Sequence, residues 1–137
     1  MTSSVIYKGS QRNLLTHERS MSTIETDAPV DNNGKGERFS PTDLLATSLA
    51  ACAMTIMGMK SESMGLDIQG LTMEVTKVMY AEPRRVGEIE IKVVIPEHLQ
   101  NLDKKSITIL KNSAKTCPVA KSIHPDIKVT VDWGAWS

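Results

Sequence analysis

One stretch dominates what this chain can fold into. Residues 40–65 hold a helix start, a long run of small apolar side chains and a helix stop, with strand-like segments on either side. Ser40 is a good N-cap, Pro41 suits the first helical position, and Asp43 three residues on completes an approximate capping box. Gly65 is a plausible residue to end the helix, and Gly58 is a weak point inside it. The spacing predicts a helix from about Pro41 to Met64. Its apolar-leaning part, Leu44 to Met59, is interrupted by Thr47, Ser48 and Thr55. That falls short of the roughly 18 continuous apolar residues of a membrane span, so it reads as a buried core helix.

The flanks read as strands. Residues 4–9 and about 19–27 have the loose alternation of half-buried strands in a hairpin or meander. Pro29 and the run Asp31-Asn32-Asn33-Gly34-Lys35-Gly36 form the clearest loop. After the helix, Leu71–Val78 and Glu88–Val93 alternate as an antiparallel hairpin with one wet face, and Pro83 and Gly87 lie in the connection. Leu99, Leu102, Ser106, Ile109, Leu110 and Ser113 predict a second helix over about 98–115. The pair Cys117-Pro118 interrupts it, because proline disfavours helical geometry in the residue before it. A short helical segment over 118–123 and a last strand through Ile127, Val129 and Val131 complete an α+β order.

At 137 residues the chain is expected to be a single domain, large enough to fold without a disulfide staple. Its 16 basic and 16 acidic residues balance, and no basic stripe stands out, so a nucleic-acid partner is not expected. Arg84-Arg85 reads as a solvated turn. The N-terminus lacks the pattern of a signal peptide, which makes the cytosol the default compartment and a disulfide there more often transient or catalytic than structural.

The only two cysteines are Cys52 and Cys117. Cys52 lies within the long helix, with Leu45, Ser48, Thr55 and Ile56 near its own face. Burial among such neighbours raises a thiol pKa, so a reactive thiolate there needs a cation or several hydrogen-bond donors from elsewhere in the fold. A lone cysteine in an Ala-rich helix is also an ordinary core residue. Cys52, Cys117, His17, His98 and His124 have no paired ligand spacing, and no metal or cofactor is expected. No Gly-rich phosphate loop and no nucleophile elbow are present.

Two segments carry a resemblance. Gly36-Glu37-Arg38-Phe39-Ser40-Pro41-Thr42-Asp43-Leu44-Leu45-Ala46-Thr47-Ser48-Leu49-Ala50-Ala51-Cys52 resembles the active-site helix of the OsmC/Ohr family, the osmotically inducible and organic-hydroperoxide-resistance proteins. Cys117-Pro118-Val119-Ala120-Lys121-Ser122 resembles its second signature, and the order of elements is similar over nearly the whole chain. The resemblance implies an OsmC-like fold, with antiparallel sheets packed around a long central helix in an intertwined homodimer. It also implies thiol peroxidase chemistry. Cys52 would attack an organic hydroperoxide, Cys117 would resolve the sulfenic acid as a disulfide, and an external dithiol would restore both thiols.

Peroxidase members of that family carry a Glu directly after the helix-opening proline, paired with an arginine that activates the thiol. Here that position is Thr42, and the acid is Asp43. Asp43 precedes Cys52 by nine residues, about 13 Å of helical rise and half a turn, so the two do not meet on one straight helix. Asp43 therefore either serves a thiol by way of a second subunit or by bending of the first turn, or it caps the helix. Arg12 follows the first strand where one branch of the family places its arginine; Arg19 and Arg38 are alternatives. The stretch from Thr26-Asp27-Ala28-Pro29 to Gly34-Lys35-Gly36-Glu37 resembles a less-characterised branch. For that branch a second function stays open: binding a small apolar or sulfur-containing ligand at the same interface without turnover.

Overall fold

Two three-stranded sheets, four α-helices and two short 3-10 turns account for the regular structure in a computed structural model that describes residues 1–137. The chain divides into two units, Met1–Leu45 and Ala46–Ser137.

The first unit holds β1 (Ser3–Gly9), β2 (Arg12–His17) and β3 (Thr23–Asp27), an antiparallel sheet in that order. β2 is a central strand where the sequence predicts none, and residues 19–22 are a turn rather than part of β3. Leu14-Leu15 has no alternation to reveal a strand. The turn before it is closed by Ser10 and Gln11 at φ of 50° and 57°, a two-residue hairpin geometry usually signalled by Asn or Gly. Pairing of Val5 with Leu15 and of Leu15 with Ile24 sets those three side chains on one face. Val5 and Ile24 remain 61% and 51% exposed.

The helix α1 (Pro41–Ser63) follows closely the bounds its caps predict. Ser40 Oγ accepts from the Asp43 N–H at 3.0 Å, and the Asp43 carboxylate accepts from the Ser40 N–H at 2.8 Å, a reciprocal capping box. At the other end Gly65 takes φ +68°. Its N–H donates to Glu62 O and that of Leu66 to Ser61 O, the paired bonds of a Schellman stop. By length and composition alone α1 is apolar enough to cross a membrane, contrary to the count of continuous apolar residues. Leu49, Ala53 and Met57 instead join a protein core with Ile89, Ile91, Val93 and Leu110, which makes it a core helix.

The second unit adds β4 (Thr72–Tyr80), β5 (Arg85–Val94), α2 (Glu97–Gln100), α3 (Lys104–Ala114), α4 (Pro118–Ser122) and β6 (Lys128–Asp132). β4 and β5 form the expected hairpin, and along β5 Ile89, Ile91 and Val93 are buried while Glu90, Lys92 and Val94 are exposed. Arg85 belongs to β5 rather than to the turn, with its guanidinium over the Tyr80 ring. β6 pairs parallel to β5, so this sheet is mixed rather than purely antiparallel. Three helices lie between the two strands, and a crossover of that length returns the chain to the end from which a parallel strand starts. The single helix expected over 98–115 is two. Asp103 is extended at φ −64° and ψ 149° and accepts from the Ser106 N–H, so it caps α3 after a break at Asn101-Leu102.

Candidate functional site

Cys52 and Cys117, far apart in sequence, are neighbours in the second unit. Cys117 is held by the proline after it. Pro118 takes the first position of α4 and keeps Cys117 extended at φ −61° and ψ 134°, which makes Cys117 the N-cap. Its Sγ accepts from the Ala120 N–H at 3.3 Å, and its thiol lies 4.0 Å from the carbonyl oxygen of Leu49, one turn before Cys52 on α1. The side chain is fully buried, whereas Cys52 is half-buried beside it.

The surroundings set the Cys117 protonation state. Burial pushes its thiol pKa up; the Ala120 N–H pulls part of the way back, and the hydrogen-bonding contact with the Cys52 thiol adds a lesser push upward. Cys117 is thus held as a neutral thiol out of reach of solvent, and Cys52 is the sulfur that a solute can approach. A cavity of about 420 Å³ opens in the same unit, lined by Leu49, Ala53, Ile91, Ala120, Val131 and Trp133 among others. Leu49 and Ala120 are the residues whose backbone groups meet the Cys117 sulfur, although neither sulfur itself lines the space.

The first unit holds a second cluster. Arg12 opens β2 and pairs in register with Asp27 at the end of β3. Arg12 Nε donates to Asp27 Oδ1 at 2.7 Å and Nη2 to Oδ2 at 2.8 Å, a bidentate pair. Nη2 also donates to Glu37 Oε2 at 2.8 Å. Asp27 is fully buried, and its Oδ2 accepts in addition from the Glu37 N–H at 3.1 Å. The Arg12 hydrogen bonds hold the Asp27 carboxyl below the ordinary range despite its burial, and the two carboxylates raise the Arg12 pKa further above its own.

Of the other candidate residues, Asp43 makes the hydrogen bonds of a helix cap. Arg38 bonds Glu25 at 3.1 Å and the carbonyl of Glu37 at 3.0 Å, and Arg19 is exposed in the turn before β3. Asp27 and Glu37 are functional candidates that inspection of the sequence does not single out. Only the acid at the end of an alternating strand marks Asp27, and nothing local marks Glu37. No group of three or more His, Cys, Asp or Glu side chains is arranged to hold a metal ion.

A model of the family described as OsmC-like protein matches residues 34–132. No curated protein matches the chain. Among solved structures, a protein of Psychrobacter arcticus 273-4 is 56% identical, with a TM-score of 0.91 over 96% of this chain and 94% of that one. It is provisionally described as an osmotic stress induced and detoxification response protein. An organic hydroperoxide resistance protein OsmC of Legionella pneumophila matches with a TM-score of 0.71 at 16% identity, over 96% of each chain. An organic hydroperoxide resistance protein of Elizabethkingia anophelis matches at 0.70 and 14% identity, over 96% of this chain and 94% of that one. At such identities the last two show the fold.

Proposed function

We propose that this chain, which belongs to the OsmC-like protein family, is a cysteine-based peroxidase that reduces organic hydroperoxides. The observation that carries the reading is the contact between a sealed, neutral Cys117 thiol and a more accessible Cys52. A lone core cysteine needs no such partner. The hydroperoxide resistance described for the Legionella and Elizabethkingia proteins points the same way.

The chemistry divides between the two sulfurs. The Cys52 thiolate attacks the terminal oxygen of ROOH, the O–O bond breaks, and the alkoxide leaves as ROH after taking a proton. Cys52 sulfur, oxidised by two electrons, becomes a sulfenic acid. Cys117 then attacks that sulfur, forms the disulfide, and its proton leaves with the hydroxyl group as water. An external dithiol returns both thiols by exchange and is itself oxidised. Holding Cys117 protonated until the sulfenic acid forms keeps it from competing for peroxide, since the thiolate is the nucleophile. The apolar cavity favours an alkyl or aryl hydroperoxide over hydrogen peroxide, because a hydrocarbon tail gains roughly 25 cal/mol for each Å² it buries. Asp43 serves by starting α1.

The active species is a homodimer. Val5 and Ile24 leave an apolar sheet face open, and only 28% of the most apolar window of α1 is buried within the chain. A second copy would cover such surface.

The test is a thiol count after exposure to cumene hydroperoxide. Loss of both thiols in the wild type, with Cys52→Ser unreactive, is the expected result. Thiols that survive the peroxide would overturn the reading and leave ligand binding without turnover as the function of the fold.

A further inference from the structure

We propose that the cavity of about 420 Å³ in the second unit is a binding site for a small carboxylic acid with a hydrocarbon body, its head held by Lys115 and Lys121. Neither sulfur lines this space, so the proposal stands whether or not the thiols turn over peroxide.

The walls come from one face of a sheet and from short side chains on three helices. Along β5, Ile89 and Ile91 are 0% and 5% exposed. Their parallel partners on β6, Val129 and Val131, share that face, yet they remain 40% and 38% exposed. The helices bring Ala53, Ala114 and Ala120 to the same lining, side chains of a single carbon that leave the space unfilled. Trp133 adds a ring. Lys111 Nζ lies 5.4 Å from the centroid of that ring and donates to Trp136 O at 2.9 Å, which keeps the indole in place as a wall.

Apolar walls alone ask only for an apolar ligand. The argument for an anion comes from the two lysines. Lys115 closes α3 and Lys121 lies on α4, so both stand at the junction of these helices, and both line the cavity. Lysine stems lie readily along apolar surface while the ammonium stays in water at the mouth. No acid pairs with either ammonium, and Lys115 reaches only Asn112 Oδ1 at 3.5 Å. No acidic side chain is part of the lining. The acids of the sheet are turned away from it. Glu88, Glu90 and Asp132 alternate to the opposite face, where Lys128 bonds Glu88 at 2.8 Å and Lys92 bonds Glu74 at 3.1 Å. From Lys104 to Pro125 the chain carries five lysines and no acid, although its charges balance overall. Positive charge without a counter-charge at the rim of an apolar space fits an amphipathic anion, whose carboxylate takes the ammoniums while its tail takes the walls. An inorganic anion gains little from the walls, and an alcohol leaves the lysines solvated as they were.

The experiment titrates the full chain with octanoate and, as the uncharged control, 1-octanol. Calorimetry reads the affinity, and tryptophan emission reads the place. Octanoate is expected to bind at one site per chain, roughly tenfold or more tighter than octanol. Lys115→Gln and Lys121→Gln each weaken octanoate about 3- to 10-fold and leave octanol unchanged. Added salt acts in the same direction on octanoate alone. The emission change on binding is lost in Trp133→Phe. Equal affinity for octanoate and octanol, or no binding of octanoate, overturns the proposal. So do lysine variants that hold octanoate as the wild type does, or an emission change that persists in Trp133→Phe. Peroxide turnover without octanoate binding sinks this inference and leaves the peroxidase reading standing, whereas octanoate binding with thiols that survive the peroxide does the reverse.

Discussion

Replacing Cys117 separates the capping of α4 from the resolving of Cys52 that the proposed peroxidase reaction assigns to it. In Cys117→Ala the Ala120 N–H loses its acceptor, which costs about 1 kcal/mol for a helix cap. Removing a fully buried sulfur leaves a cavity of one heavy atom, worth about 1 kcal/mol on the scale of small core truncations. The sum, about 2 kcal/mol, lowers Tm by roughly 6–8 °C in a chain of this size. Cys117→Ser keeps a cap acceptor, and serine is a favoured cap. However, its shorter side chain moves the hydroxyl farther from Leu49 O, already 4.0 Å from the sulfur. One poorly satisfied buried hydroxyl costs about 1 kcal/mol, hence roughly 3–4 °C. Both variants lose turnover with dithiol as a disulfide intermediate, and Cys52 sulfenic acid accumulates in its place. The assay pairs thermal melts with dimedone trapping and mass spectrometry after one equivalent of cumene hydroperoxide. The wild type loses two hydrogens and no dimedone adduct forms, whereas Cys117→Ser carries the adduct on Cys52. Refutation is a Cys117→Ser protein that gives the wild-type result, or a Cys117→Ala protein as stable as the wild type.

Three further outcomes are expected. Gly87→Ala sets a Cβ into the Tyr80 ring; displacing that ring is expected to cost about 1–3 kcal/mol, read as a lower urea midpoint with unchanged m. Asp27 has a lowered folded pKa, so its contribution to stability is present above the ordinary carboxylate value of about 3.9. That contribution is lost as the pH falls through the folded value. Urea midpoints measured from pH 6 down to pH 2.5 should therefore drop more in the wild type than in Asp27→Asn, and parallel curves would refute the linkage. Light scattering should give a dimer for the wild type and a shift to monomer for Val5→Asp with Ile24→Asp, whereas an unaltered dimer would place the interface elsewhere.

Local chemistry made much of this fold legible. The capping box at Ser40 and Asp43, the stop at Gly65 and the alternation along β5 involve residues within a few positions of one another, and each appears where the spacing puts it. The break between α2 and α3 has a local cause too, but Leu99 and Leu102 keep helical spacing across it and mask the cap at Asp103. β2 escaped because its strand character comes from partners on both sides and not from its own pattern. The parallel pairing of β6 depends on where three intervening helices return the chain. The site divides the same way. Composition and the two motifs identify Cys52 and Cys117 by themselves, yet only packing brings α4 against α1, seals one thiol and leaves the other within reach. Likewise the sequence supplies Arg12, but β-sheet register chooses Asp27 as its partner, because contacts across a sheet are set by pairing and not by distance along the chain.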